Sequence, residues 1–284
     1  MNHLKPFIII IILLSFSSLC LSQSKADKDP EDCEEVEIAN SSLTLSIGAD
    51  LMSRYVWRGL QYGGNAPSIQ PNLCLTWKGL NVGFWGAYST AGLNESQELD
   101  FFVSYTFAKD MFTILFTDYY FPNRRTPDKF YNYDVDSTHH ILEGTVSFNG
   151  TEKIPLSLLI ATNFYGADAS RIGNDPNSSD FNKKVGIQYS TYMELKYSTS
   201  ILQTVDFDAF VGVNLTSPRK EDSSIGYVGE GGFYGSKAGV VNLGVSFGKE
   251  IPLSSEFSLP ITSSIIANPV DNFYYFVFGV GISN

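Results

Sequence analysis

From Ser42 onward, apolar and polar residues alternate with a period of two. Leu43, Leu45, Ile47, Ala49 and Leu51 are interleaved with Thr44, Ser46, Gly48 and Asp50. A β-strand sends successive side chains to opposite faces, so this spacing predicts one apolar face and one polar face. The same pattern returns along the chain. Leu99, Phe101, Val103, Tyr105 and Phe107 oppose Glu98, Asp100, Ser104 and Thr106. Val205, Phe207, Ala209, Val211 and Val213 oppose Asp206, Asp208 and Asn214. Met193 and Leu195 against Glu194 and Lys196 follow it less cleanly. Past the N-terminal run, no stretch carries a long helical period or about 18 apolar residues in a row, which leaves an all-β chain.

Twelve strand segments are predicted, near 43–56, 66–77, 80–90, 97–108, 111–121, 139–149, 155–165, 187–197, 204–215, 238–248, 256–266 and 272–283. The links between them alternate in length. Those at 78–79, 109–110, 149–154, 198–203 and 249–254 are short, and those at 122–138, 166–185 and 216–237 are long and rich in Gly, Pro, Asn, Asp and Ser. That alternation fits a single antiparallel up-and-down transmembrane β-barrel with short periplasmic turns, long extracellular loops and both ends on the periplasmic side. No long segment is marked to fold inward as a constriction.

Period two alone cannot separate a soluble barrel from a membrane barrel, because only the direction of the apolar face differs. Composition tilts the choice. Aromatic residues make up 14% of the chain, and Tyr55, Trp57, Trp77, Tyr119 and Tyr120 fall near strand ends, where an interface girdle needs them. The mean hydropathy of −0.03 is low for a helical membrane protein. It suits a barrel in which alternate residues meet lipid. The net charge of −11 argues against nucleic acid as a partner.

The first 22 residues read as a cleaved export signal: Lys5 precedes an apolar run from Phe7 to Leu14, extended by Phe16, Leu19 and Leu21. Cys20 raises lipidation, against which Leu19 sits where a small residue is wanted. Residues 23–41 carry Asp27, Asp29, Glu31, Asp32, Glu34, Glu35 and Glu37 with no apolar period, a flexible acidic periplasmic lead-in to a barrel over 42–284. Once the signal is removed, Cys33 and Cys74 remain, either as a disulfide or as two separate thiols.

Four segments then stand out in order: SRYVWRGLQ (Ser53 to Gln61), NVGFWGAYS (Asn81 to Ser89), the ELD of Glu98 to Asp100, and YYFP (Tyr119 to Pro122). Together they resemble the TorF-type porin family of Gram-negative outer membranes. In that family an S-x-Y-x-x-R-G segment is followed by a G-x-W strand, an E-x-D-x-Y-like strand and Y-x-Y-P. Phe102 or Tyr105 stands where the Tyr after Asp100 is expected. The resemblance spans residues 50–122 and implies an outer-membrane barrel with poorly defined substrates. Such barrels often end on an aromatic residue read by the barrel assembly machinery; this chain ends Gly281-Ile282-Ser283-Asn284, with Phe276 and Phe278 the nearest candidates.

If the apolar face meets lipid, strand parity turns Asp50, Arg54, Arg58, Glu98, Asp100, Glu143, Glu194, Lys196, Asp206 and Asp208 into the lumen. One reading is a charged constriction, with Arg54 and Arg58 facing Glu98 and Asp100, in a channel for small polar solutes or ions. The other is a salt-bridged plug closing a structural or ligand-binding barrel, since twelve strands enclose a modest lumen. A lipid-modifying enzyme is a third reading. Its only histidines past the signal are His139 and His140; adjacent residues point to opposite faces, and no G-x-S-x-G segment supplies a nucleophile. The glycines 226, 229, 231, 232 and 235 lack the Lys-Ser/Thr of a phosphate loop. No cofactor or metal site is expected. The partners are outer-membrane lipid and a small polar solute, with no preference between monomer and oligomer.

Overall fold

In a computed structural model, residues 43–91, 97–122, 129–151, 153–168 and 171–283 are described. The export signal (1–22) and the whole of the acidic segment (23–41) lie outside them. Twelve strands close into an antiparallel barrel. In chain order they are β1 (Thr44–Met52), β4 (Ser68–Trp77), β5 (Leu80–Ser89), β6 (Gln97–Phe107), β7 (Phe112–Tyr120), β8 (His140–Phe148), β9 (Leu156–Gly166), β10 (Thr191–Ile201), β11 (Val205–Asn214), β12 (Gly239–Pro252), β13 (Ser258–Asn268) and β14 (Phe273–Ser283). Each wall strand after β1 pairs with the next, and β1 pairs with both β4 and β14, which closes the ring and leaves no edge. Two short strands, β2 (Tyr55–Trp57) and β3 (Leu60–Tyr62), form a separate hairpin between β1 and β4.

The predicted strands match the observed ones closely, and the exceptions have physical causes. The first was read through to residue 56, but β1 stops at Met52, where the chain bends at Ser53 and Arg54 into the hairpin. The eighth begins four residues later than expected, because 187–190 joins the preceding loop. β12 runs on to Pro252, which the end of a strand tolerates.

Side-chain exposure alternates as the sequence predicts. On β6, Glu98, Asp100, Phe102, Ser104 and Thr106 are buried inward, while Leu99, Phe101, Tyr105 and Phe107 are exposed outward. On β1, Leu45, Ile47 and Leu51 are exposed and Asp50 and Met52 are buried. Phe84, Phe116, Val146, Ile160, Leu195, Ile265 and Phe276 extend the exposed apolar surface around the ring. A soluble protein rarely exposes a contiguous apolar patch above a few hundred Å², so a full apolar belt calls for lipid around it. Phe116→Arg, at the middle of β7, is expected to destabilise the bilayer-inserted barrel by about 2–4 kcal/mol. Urea unfolding in phospholipid vesicles checks this, and an unchanged midpoint would argue that this face meets water.

The aromatic girdle is only partly as expected. Trp77 lies outward at the turn end of β4, with the Lys78 ammonium 5.2 Å from its ring centroid. Tyr120 shares the outward parity of Phe116 but is covered by Phe130 and stacks on His140. Tyr55, Trp57 and Tyr119 correct the prediction: all three are buried in the barrel interior, at 5%, 4% and 1% exposure. Alternation cannot tell an aromatic ring facing lipid from one filling the lumen, because both are dry.

Candidate functional site

The interior site is built around the β2–β3 hairpin. Its ladder pairs Tyr55 with Tyr62, Val56 with Gln61 and Trp57 with Leu60, leaving Arg58-Gly59 as a two-residue turn. Both residues have positive φ, 49° and 77°. A type I′ hairpin turn requires that pair of signs; glycine adopts it freely and arginine at some cost. The turn goes inward. Asn268 Nδ2, on β13, donates to Gly59 O at 3.1 Å. A Cβ built on Gly59 would sit 1.7 Å from Val241 O, so only glycine fits against β12 there.

From that turn, Arg58 reaches the wall across from the β1–β4 seam on which the hairpin hangs. Its Nη1 donates to Glu143 Oε2 at 2.6 Å and its Nη2 to Glu143 Oε1 at 3.2 Å. Glu143, on β8, also accepts from Thr145 Oγ1 at 2.8 Å and from the Tyr234 hydroxyl. Four donors converge on this one carboxylate, and a bidentate guanidinium is the strongest kind of partner among them. Three rings surround the guanidinium: Trp57, Tyr192 and Tyr234, with centroids 4.4, 4.8 and 5.2 Å from Cζ. Both charged side chains are sealed, at 2% and 0% exposure.

The loop between β11 and β12 closes over this pair. It delivers Phe233 and Tyr234 into the barrel, where they pack on Trp57 and Tyr119. Tyr62 stacks on Phe121 and tilts against Tyr55, which meets Trp85. This aromatic layer lies toward the long-loop end of the barrel. Toward the short-turn end the inward positions are small or polar, including Ser46, Asn81, Ser104, Thr106, Ser147, Ser246 and Thr262.

The remaining candidates sit as follows. Asp50 is buried and inward on β1. Arg54, on the bend, is half-buried and does not meet Arg58's partner. Glu98 and Asp100 are buried near Tyr55, but Arg58 pairs with Glu143 and not with them. That corrects the expected pairing, because the turn, and not a strand, aims the arginine. Glu194 accepts from the Tyr192 hydroxyl at 2.5 Å and from Asn242 Nδ2 at 2.9 Å. Asp208 accepts from Ser198 at 2.6 Å, and Asp206 from Ser200 at 3.3 Å. Lys196 is half-buried on the inward face of β10. His140 Nδ1 lies 2.8 Å from Asp118 Oδ1 and its Nε2 2.6 Å from Phe130 O, so both ring nitrogens are occupied by loop anchoring. Cys74 is disulfide-bonded. Its side chain is buried at 2% on the inward face of β4.

Sequence reasoning missed Tyr192, Tyr234 and Asn268 as part of the site. One signal was available: an adjacent Phe233-Tyr234 pair in an otherwise glycine-rich polar loop needs an apolar place to go.

Residues 37–166, just under half of the chain, match the model of Gcw_chp, described as a bacterial protein of unknown function. All four sequence segments singled out above fall inside that range. No curated protein matches the chain in sequence. Among solved structures, the NanC porin shares 11% identity at a TM-score of 0.43, over 84% of this chain and 98% of that one. An outer-membrane channel from Pseudomonas putida F1 shares 11% at 0.41, over 91% and 99%. The outer-membrane phospholipase dimer of Salmonella typhi with bound calcium shares 11% at 0.33, over 88% and 94%.

Proposed function

We propose that this chain is an outer-membrane channel for small polar solutes or ions, constricted by its β2–β3 hairpin, in line with the resemblance to TorF-type porins. The observation that carries the reading is the pairing of an apolar outer belt with a polar interior crossed by a hairpin that hangs from one wall and is pinned to the other by Arg58 and Glu143. A barrel that served only as structure has no need of an inward row of carboxylates extending to its short-turn end. Among the described residues, the inward carboxylates include Asp50, Glu98, Asp100, Glu143, Glu194, Asp206, Asp208 and, by its parity with Ser246 on β12, Glu250, against the cations Arg54, Arg58 and Lys196. A lumen with that balance favours cations. Reversal potentials under a potassium chloride gradient are expected to report cation selectivity, weakened by Asp206→Asn with Asp208→Asn. Anion selectivity, or no permeation in any variant, sinks the reading.

The second reading is a closed barrel with a structural plug. It is favoured by the sealing of Arg58 and Glu143 and of the rings around them. The two readings part on whether releasing the hairpin opens a path.

A further inference from the structure

The hairpin also meets a second pair of acids. Glu98 and Asp100 are successive inward residues of β6, at 8% and 0% exposure. In the ladder Asp100 stands between Trp85 of β5 and Tyr119 of β7, both buried in the interior. Tyr55 and Tyr62, the paired ends of the hairpin, complete the surround. The Tyr55 ring centroid lies 5.4 Å from that of Trp85 and 5.3 Å from that of Tyr62. No cation among the described residues pairs with either acid: Arg58 is held by Glu143, and Arg54 lies by Tyr275 on β14. The Tyr55 hydroxyl adjoins the Glu98 carboxyl, yet by hydrogen-bond geometry it has no partner among the described residues, and neither has either oxygen of Asp100. A dry carboxylate left without charge or donors is costly to keep.

We propose that Glu98 and Asp100 bind a compact organic cation, a primary ammonium group, within the rings of Tyr55, Tyr62, Trp85 and Tyr119. The proposal rests on the channel reading for its role, and it names the class of solute that the channel takes. The same layer already holds one complex of this kind. The Arg58 guanidinium sits on Glu143 inside the rings of Trp57, Tyr192 and Tyr234. There the chain supplies the cation itself; at Glu98 and Asp100 it supplies only the acids and the rings. An ammonium group brings three N–H donors on one small charge, which suits two carboxylates side by side. Its positive charge is also attracted to the ring faces. The entry side follows from the strand. β6 leaves the long-loop end at Gln97, so Glu98 lies about 7 Å nearer that mouth than Asp100. Tyr62 beside them is only half-buried. A cation entering from the long-loop side meets Glu98 first and then Asp100.

The test is equilibrium dialysis of radiolabelled methylammonium against the full chain in detergent micelles, at constant potassium chloride. Asp100→Asn and Glu98→Gln are measured beside Asp136→Asn, which removes an exposed loop acid. The expected result is saturable binding to one site in the native chain and in Asp136→Asn. Binding should weaken at least about tenfold in Asp100→Asn and in Glu98→Gln, as for loss of one partner of a buried charge pair. Tetramethylammonium, which has no N–H donor, should displace the label poorly. Methylammonium should also raise the urea midpoint of the native chain and leave that of Asp100→Asn unchanged, which shows a folded variant without the site. Three results overturn the proposal: no saturable binding by the native chain, as when the two acids share a proton and need no cation; full binding by Asp100→Asn; or equal displacement by tetramethylammonium. Binding by a barrel that stays silent in a planar bilayer supports the site and removes the channel reading, whereas conduction without binding overturns the site alone.

Discussion

Arg58→Ala is expected to cost about 3–5 kcal/mol of unfolding free energy, the range for removing one partner of a buried ion pair. The loss arises less from the missing attraction than from what is left behind. Glu143 stays in place with 0% of its side chain exposed, and two of its four donors disappear with the guanidinium. The three rings around Arg58 also lose the cation they enclose. Arg58→Ala combined with Glu143→Ala should recover part of the loss, because the second change removes the stranded charge. Urea unfolding in vesicles, read by tryptophan fluorescence, measures all three variants. Equal destabilisation by Arg58→Ala and an exposed-lysine control would show that the pair holds nothing.

The second large effect is expected at Gly59. Gly59→Ala places a left-handed, non-glycine residue at φ 77° with its Cβ driven into the carbonyl oxygen of Val241. The backbone conformation alone costs about 1–3 kcal/mol, and the contact with a wall strand cannot relax without moving the turn. The hairpin tip should leave its seat on β12 and β13 while every charged group remains. Amide exchange across Tyr55–Tyr62 should then quicken at least about tenfold, which corresponds to about 1.4 kcal/mol of lost protection. The wall strands should keep their protection. Unchanged exchange in the hairpin would mean that its tip is not held against β12 and β13.

How much of this was legible in the sequence differs by element. The wall was readable because each strand buries one face against protein and offers the other to lipid, and period two records that choice residue by residue. Glu98, Asp100, Glu143, Glu194, Asp206 and Asp208 were placed inward by parity alone, and they are inward. The hairpin was not readable as such. Tyr55 and Trp57 continue the alternation of β1 past Met52, so the bend at Ser53 and Arg54 is silent in the pattern. The Arg58-Gly59 turn was the available clue, since a glycine after a polar residue between alternating segments marks a tight hairpin. The partnership of Arg58 with Glu143 joins residues 85 apart, and no local rule reaches that far. The aromatic girdle failed at Tyr55, Trp57 and Tyr119 for the same reason: a filled lumen and a lipid interface ask for the same side chains.

The S-x-Y-x-x-R-G segment acquires a physical meaning from this. Its serine donates from Ser53 N to Phe278 O at 2.7 Å and fixes the exit from β1. Its tyrosine, Tyr55, packs on Trp85 and Tyr62. Its Arg-Gly pair is the turn that crosses the lumen. The segment encodes an inward hairpin rather than a wall strand.

The central claim is that this hairpin is what constricts a polar passage. The most direct measurement is planar-bilayer conductance of the native barrel beside a variant in which residues 54–63 are replaced by a short Gly-Ser link. The account predicts small discrete steps for the native chain and steps several-fold larger for the variant, at equal insertion. A variant that inserts as a folded barrel and conducts no more than the native chain would contradict it.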